Sequence, residues 1–337
     1  MRSKITLKEL AKLLNVSVST VSKSLNDSSE ISPKTIQRVK ELAKLHNYKP
    51  NPMAVNLKHK RTGNIAVIVP NISNPFFAKV LAGVETEVRS LGFQVITYIS
   101  NESLQLEQQI TELLSNGMVD GLLISVSEET QRTGDYEHLH RLKEYEIPVV
   151  LFDRINVDIE LDKVGVNDMR SIYNAVSFLY SKNIKKIGLV CAIGEIGLGK
   201  QRIEGYLSAC KDLNLEMKDN YVVVSEDYAV LKKDLKELLR QEDIEAIIGL
   251  DYISTLLASR VVQESNLKIP YDIKIIGYAN AEYTEYYWPS ISYIDQHPMK
   301  MGATATNLLV ERIKGVGEKT YEKILETELV HFDSTEF

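Results

Sequence analysis

Residues 6–26, TLKELAKLLNVSVSTVSKSLN, repeat apolar side chains at helical spacing in two short runs separated by a single turn, which commits the N-terminus to a small helical unit. Leu7, Leu10, Ala11 and Leu14 share one face of a first helix, and Val18, Val21 and Leu25 share a face of a second. Thr6 and Glu9 have capping-box spacing, so the threonine oxygen can take an orphan amide of the first turn while the glutamate reaches back. Asn15 sits at the turn, where asparagine tolerates the left-handed conformation that glycine would otherwise supply. Ser17 is placed to cap the second helix. Ser32-Pro33 announces a third, a cap followed by proline at the first helical position, with Ile36, Val39, Leu42 and Ala43 turned inward.

A three-helix unit of this kind could serve packing alone, but its charge argues for more. Residues 1–61 hold 13 Lys and Arg against 4 Asp and Glu, leaving 27 against 42 for the remainder, so a net charge of −6 conceals a basic head on an acidic body. Clustered cations are the footprint of a nucleic-acid module, because neutralising phosphates releases counterions, while an acidic body avoids unspecific adhesion.

The chain resembles the LacI/GalR family of bacterial transcription regulators nearly end to end. The residues that carry the resemblance are TLKELAKLLNVSVSTVSKSLN at 6–26, YKPNPMAVNLK at 48–58, IAVIVPNISNPFFAKVLAGVE at 65–85 and IPVVLFDR at 147–154. They continue with RIEGY at 202–206, IPYDIKIIGYAN at 269–280 and PSISYIDQ at 289–296. The resemblance implies a homodimer that binds a pseudo-palindromic DNA operator, most often as a repressor, under control of a small effector. Val18, Ser19 and Lys23 match the family positions that meet base edges, where lysine can donate to guanine and valine can touch a thymine methyl. Thr6, Ser22, Asn26 and Ser32 look like phosphate contacts, which fix register without reading sequence.

Asn51-Pro52 precedes a run, Met53 to Lys58, long enough for one or two helical turns and unstable alone in water. The resemblance makes it a hinge helix on the minor groove. Leu57 falls on the position that wedges between base pairs and bends the duplex, with Ala54 and Lys58 beside it. Met53, Val55 and Asn56 depart from the commonest family residues, and a plain linker is the simpler alternative.

Length fits a small head plus a two-lobed body. Past Gly63, apolar strands alternate with amphipathic helices: Ile65–Val69, Phe76–Leu91, Phe93–Tyr98, Gln105–Asn116, Gly121–Ser125 and Val149–Phe152. A second set starts near Val164 and includes Lys186–Val190, Ile203–Leu213, Val222–Val224, Leu231–Arg240, Ala246–Leu250 and Ile273–Ile276. This is the pattern of parallel sheets wound by right-handed crossovers. The expected fold is therefore a small all-α helix-turn-helix headpiece joined to an α/β body of two doubly wound parallel sheets, which by resemblance is periplasmic-binding-protein-like. The expected divisions are a head at 1–48, a hinge at 49–62 and a body at 63–337. Within the body the N-lobe takes about 63–163 and 294–323 and the C-lobe about 164–292 and 325–337, with the chain crossing near residues 163, 293 and 324.

Such lobes bind ligands in the cleft facing the carboxyl ends of their strands. The resemblance points there to Phe76, Phe77, Asp153, Arg154, Arg202, Tyr228, Asp251, Asn280 and Gln296, and to a small polar effector, a sugar or sugar derivative. Arg202 leads, because a guanidinium presents a rigid fork of donors to hydroxyls or a carboxylate, although a salt bridge would use it equally well. Core packing is the alternative for each Phe, and a solvent-facing loop for Tyr228. The family often carries an aspartate where Gly277-Tyr278-Ala279-Asn280 has Ala279, so the ligand is expected to differ from the commonest small sugars.

Other chemistries find less support. Gly194-Glu195-Ile196-Gly197-Leu198-Gly199-Lys200 has the spacing of a phosphate-binding loop and Asp251 could imitate its magnesium-side carboxylate, but Gln201 stands where Mg²⁺ requires Ser or Thr. His46, His59, His138, His140, His297 and His331 show no hydrolase or metal spacing, and neither an enzyme activity nor a metal or other cofactor is expected. Cys191 and Cys210 read as reduced packing residues. No apolar run approaches the about 20 residues of a membrane span, and the charged N-terminus does not read as a signal peptide, so a cytoplasmic protein without membrane contact is expected. A sugar-binding module that never touches DNA is the rival of another class, against which the basic head counts.

Overall fold

The computed structural model describes residues 5–46, 48, 61–194, 196–279, 284–317 and 319–336. Two compact units divide between Thr62 and Gly63.

Among its described residues the first unit has three helices, α1 (Leu7–Leu14), α2 (Val18–Leu25) and α3 (Pro33–Leu45). The Thr6 amide donates to Glu9 Oε2 at 2.7 Å and the Glu9 amide donates to Thr6 Oγ1 at 3.3 Å, which closes the capping box. Asn15 ends α1 in the left-handed region at φ 53°, and Ser17 caps α2 by accepting from the Thr20 amide at 3.0 Å. Leu10, Ala11, Val21, Val39 and Ala43 form the core. Val18 departs from the inward set expected for α2. It is 40% exposed at the helix start, one turn from the buried Val21.

The second unit contains two six-stranded sheets. The first has the order β11-β5-β4-β3-β1-β2, from β1 (Asn64–Val69), β2 (Gln94–Ile99), β3 (Gly121–Ile124), β4 (Val149–Phe152), β5 (Asp162–Val166) and β11 (Glu322–Leu325), all parallel. The second has the order β12-β10-β9-β8-β6-β7, from β6 (Ile187–Cys191), β7 (Val222–Val224), β8 (Ala246–Gly249), β9 (Lys274–Gly277), β10 (Ser292–Asp295) and β12 (Glu328–Val330). Here β12 runs antiparallel to β10, and the other described pairings are parallel. Strands β3, β4 and β8 are buried throughout, as continuous apolar runs require when helices cover both faces.

The helices that frame the cleft are α4 (Pro75–Ser90), α8 (Asp168–Ser181), α9 (Gly197–Asp212), α11 (Tyr252–Glu264) and α12 (Pro298–Ile313). The remaining body helices are α5 (Leu104–Leu114), α6 (Glu128–Thr133), α7 (Glu137–Glu144) and α10 (Tyr228–Gln241).

The three crossings lie slightly later than the family resemblance placed them. Val164 pairs with Phe152 inside the first sheet, so the chain leaves that lobe after Val166 and the second set begins at α8. Tyr293 pairs with Gly277 and Ile294 with Leu329, so 294 and 295 belong to the second sheet. Leu325 still pairs with Val166 in the first. An apolar run announces a strand but carries no mark of which edge it joins, and that pairing decides the lobe.

Helices α4 and α12 approach through glycine. A Cβ on Gly302 would stand 2.2 Å from the Val80 carbonyl oxygen, and one on Gly83 would stand 2.1 Å from that of Met299. Gly302→Ala is expected to destabilise the body by about 1–3 kcal/mol through overpacking against backbone that cannot yield. A lowered urea midpoint with unchanged slope checks this.

Candidate functional site

Two regions gather the residues singled out by sequence. On the helical unit, Val18 and Ser19 stand exposed at the start of α2. Lys23, in its last turn, ion-pairs with Glu30, and that contact holds the Glu30 carboxyl below its ordinary value. Thr6 and Ser32 are the exposed caps of α1 and α3, so their hydroxyls sit beside the free amides of two helix starts. The Asn26 side chain donates to the Ser22 carbonyl at 3.0 Å. Ala54, Leu57 and Lys58 lie outside the described residues.

In the body, a cavity of about 590 Å³ opens between the lobes at the carboxyl ends of both sheets. Phe76, Phe77, Asp153, Arg154, Arg202, Asp251 and Gln296 all border it. Phe76 and Phe77 open α4 behind the Asn74 cap and Pro75. Their rings meet edge to face at 5.2 Å, and Phe77 meets Phe152 the same way at 6.5 Å.

Arg202, on α9, is 4% exposed. Its Nε donates to Asp168 Oδ1 at 2.6 Å, its Nη1 to the Leu250 carbonyl at 2.7 Å, and its guanidinium lies 3.7 Å from the centre of the Tyr278 ring. Burial would lower its pKa, but the Asp168 charge overcomes that and holds the arginine firmly protonated. Arg154 is gripped by Glu102 through both Nη atoms at 2.6 and 2.7 Å, and Nη1 also donates to the Val126 carbonyl at 2.9 Å. Asp153, just past β4, adopts φ 64°. Burial pushes its carboxyl up to about 7, against the pull of Arg154 and Arg202.

Asp251 is largely committed to structure. It caps α11 by accepting from the Ser254 amide at 2.9 Å, and its other oxygen takes the Ala192 amide at 3.0 Å and the Ser254 hydroxyl. Gln296 is 9% exposed, and its Nε2 is buried without a hydrogen-bond partner. Tyr228 does not border the cavity; it starts α10 directly after the Asp227 cap and is 49% exposed. Asn280 lies outside the described residues, although Tyr278 and Ala279 border the cavity.

Sequence reasoning missed Asp168 and Glu102, the carboxylates that hold the two arginines. Asp168 had a signal in its place directly after the α8 cap Asn167, whereas Glu102 lay in an exposed-looking loop. The described part of the glycine-rich segment, 194 and 196–200, is not shaped as a phosphate cradle. A Cβ on Gly199 would stand 1.8 Å from the Ile193 carbonyl oxygen, the Gly197 amide donates to Gln131 Oε1 at 3.2 Å, and Lys200 faces solvent. Cys191 and Cys210 are buried and unpaired with each other. Among the described residues, no cluster of three or more His, Cys, Asp or Glu could hold a metal, and no helix is long and apolar enough to cross a membrane.

Comparison with known proteins bears on both regions. Residues 6–51 match the family described as bacterial regulatory proteins, lacI family, and residues 62–331 match that described as periplasmic binding proteins and sugar binding domain of LacI family. Among curated proteins, the chain is 31% identical over 312 residues to the HTH-type transcriptional repressor PurR of Aliivibrio salmonicida, covering 92% of each chain. It is 26% identical to the repressor CytR of Escherichia coli, covering 98% of this chain and 96% of that protein. Among solved structures, a transcriptional regulator CelR–cellobiose complex aligns with TM-score 0.72 at 26% identity, covering 98% of this chain and 99% of that one. A lac repressor dimer bound to operator and the anti-inducer ONPF shares the fold with TM-score 0.85 at 20% identity, over 99% of each chain.

The Asp153 carboxyl generates a pH prediction. Its folded pKa lies above the ordinary 3.8, so the folded protein holds this proton more tightly than the unfolded chain. Its contribution therefore opposes folding increasingly as pH rises from about 4 to about 7, by roughly 4 kcal/mol at full ionisation. Asp153→Asn is expected to remove that part of the slope, so the variant gains on the parent as pH rises. Urea unfolding at pH 5 and pH 8 checks this, and a constant difference between the two proteins would refute it.

Proposed function

Since this chain belongs to the LacI family of bacterial regulatory proteins, we propose that it is a sequence-specific DNA-binding transcriptional repressor whose operator affinity is set by a small polar effector bound between the two lobes of its body. The observation that carries this reading is the pairing, in one chain, of a basic helix-turn-helix unit with a cavity of about 590 Å³ bordered by oriented polar groups. The similarity to a regulator solved with cellobiose supports a saccharide as the effector. The relatives are named as regulators, in keeping with a role that needs no catalysis.

In this reading Val18, Ser19 and Lys23 meet base edges, and Thr6, Ser22, Asn26 and Ser32 hold phosphates. A two-fold dimer then requires an inverted-repeat site. Residues 53–58 act as the hinge, with Leu57 as the wedge between base pairs. The work takes place in the cytoplasm, where the DNA is. The effector acts by favouring one closure of the lobes over another, which shifts the population competent for the operator.

Selection of bound fragments from a sheared genomic library, at fixed and stated salt, is expected to enrich one palindrome. Flat, strongly salt-dependent retention in the absence and presence of saccharides would sink the assignment, since phosphate contacts alone give that behaviour. On the selected operator, Lys23→Ala is expected to cost about 1–3 kcal/mol and to relax preference at one base pair of each half-site. Ser32→Ala should instead weaken all sites about equally. Identical behaviour of the two variants in a competition binding assay would overturn the division of roles.

A further inference from the structure

Helix α9 starts without a cap of its own. Its N-cap position holds Ile196, an apolar side chain that makes no capping bond, and Gly197 and Gly199, just inside the helix, lose the most chain entropy on becoming helical. The helices before and after it differ. Asn167 caps α8 by accepting from the Arg170 amide at 2.9 Å, and Asp227 caps α10 by accepting from the Ala229 amide at 2.7 Å. For α9 the acceptor comes from the opposite lobe, where Gln131 Oε1 takes the Gly197 N–H at 3.2 Å.

The side that supplies Gln131 is held in place. Helix α6 opens on Ser127, whose hydroxyl accepts from the Thr130 amide at 3.1 Å, and it closes on Gly134 at φ 67°. Behind it the buried Glu107 of α5 accepts from the Ser127 amide and, at 2.5 Å, from the Thr130 hydroxyl. Gln131 thus projects from a fixed helix. Only the oxygen of its side-chain amide can take an N–H, and the Nε2 left on the other side is buried without a partner among the described residues. The orientation that serves α9 is kept although it leaves the residue's own donor unmet, which is costly in a buried place. The next residue, Arg132, reaches Glu226 just ahead of α10 at 3.2 Å, so the last turn of α6 meets the other lobe at two adjacent positions.

The glycines separate in the same way. A Cβ on Gly194 would stand 2.3 Å from Val224 Cγ1, within its own lobe. One on Gly197 would stand 3.2 Å from Gln131 Oε1 and 3.4 Å from the Asn156 carbonyl oxygen, both of the first lobe. Position 197 is therefore where the lobes come close. We propose that Gln131 caps α9 from the opposite lobe, a positioning residue through which closure orders the glycine-rich start of that helix and opening releases it. Ile196 and Leu198 border the cavity and Arg202 follows along the same helix, so the cap completes one wall of the site. A single hydrogen bond of this kind shifts a local equilibrium by about fivefold, enough to bias the segment and small enough to be reversed.

The test follows amide hydrogen exchange by mass spectrometry in the full-length protein, in peptides that report on 196–200 and, as an internal control, on 206–212. Gln131→Met keeps the length of the side chain and removes the acceptor. It is expected to speed exchange at 196–200 by about threefold or more with 206–212 unchanged, and Gln131→Glu, which restores an acceptor, should restore slow exchange. Exchange at 196–200 that is the same in Gln131→Met as in the parent would overturn the proposal.

Closure is then set directly. The Arg132 and Glu226 side chains are 55% and 48% exposed, whereas Cys191 and Cys210 are buried, so a short bismaleimide can join Arg132→Cys to Glu226→Cys without touching the native thiols. The same double variant blocked with N-ethylmaleimide is the unlinked reference. Linking is expected to slow exchange at 196–200 by about fivefold, and Gln131→Met in the linked protein should cancel the effect. Equal exchange in linked and unlinked protein would overturn the coupling, and slowing that survives Gln131→Met would overturn the role of Gln131. Should Gln131→Met fail to fold, Ile196→Thr gives α9 a cap of its own and should make 196–200 indifferent to linking, and a persisting difference would refute the proposal. The inference rests on the regulator reading only in giving closure a role at the operator. Exchange is measured without DNA, so its failure leaves that reading standing, whereas loss of specific operator binding by the parent would remove the regulator and leave the cap.

Discussion

The ion pair between Arg202 and Asp168 is the contact on which the body most depends. Asp168 opens α8 two residues after β5 ends, at the first passage from one lobe to the other, and Arg202 comes from the middle of α9. The same guanidinium reaches the carbonyl of Leu250 at the end of β8 and lies flat on Tyr278 just past β9. One buried side chain therefore fixes the relation of a crossing, two helices and the ends of two strands. Removing a single partner would leave a charge stranded away from water, a change costing on the order of 3–5 kcal/mol, far more than the pair would contribute at a surface. The arginine first serves the architecture of the cleft wall, and what remains of its donor fork can serve a ligand.

The head and the body divide the electrostatic work. Lys23 and Lys40 are exposed and paired only with exposed acids, Glu30 and Asp27, contacts that water screens and that phosphate can displace at little cost. In the cleft the reverse holds, since the charges of Arg154 and Arg202 are buried and bound in fixed geometry. Exposed charge is available for exchange with counterions, which is what binding a polyanion demands. Buried charge held in this way shapes the walls of a site.

Much of this was legible in the sequence because it depends on local pattern. The capping box at Thr6 and Glu9, the turn at Asn15 and the Ser32-Pro33 start are written in adjacent residues, and so is the alternation of apolar strands with amphipathic helices. The residues gathered around the cavity were legible through family resemblance, and Phe76, Asp153 and Arg202 do border one space. What could not be read is long-range partnership. Glu102 meets Arg154 across 52 positions and Asp168 meets Arg202 across 34, and nothing in either local stretch names its partner. The same limit displaced the lobe crossings by two or three residues, because strand pairing, and not hydropathy, assigns Val164 to the first sheet and Ile294 to the second. At Tyr228 the sequence offered a loop, and the Asp227 cap instead begins the helix there, three residues before the apolar pattern starts at Leu231.

The contacts between the lobes outside the cleft suit a body that must change its closure. Arg132 on α6 reaches Glu226 of the other lobe at 3.2 Å, both half exposed, and Gln131 accepts from the Gly197 amide at 3.2 Å. An exposed ion pair contributes about 1 kcal/mol or less, and one neutral hydrogen bond about as much. Among the described residues the chain passes between the lobes through short connections after β5, β10 and β11, and no strand is shared by the two sheets. The equilibrium between closures is thus held by interactions of the same size as a few ligand hydrogen bonds. A ligand that contacts both walls, Asp153 on one side and Gln296 or Arg202 on the other, needs a preference of only about 3 kcal/mol to shift the populations more than a hundredfold. Rigid cleft walls and weak rim contacts are therefore complementary requirements: the first gives the ligand something definite to recognise, and the second lets recognition move the lobes.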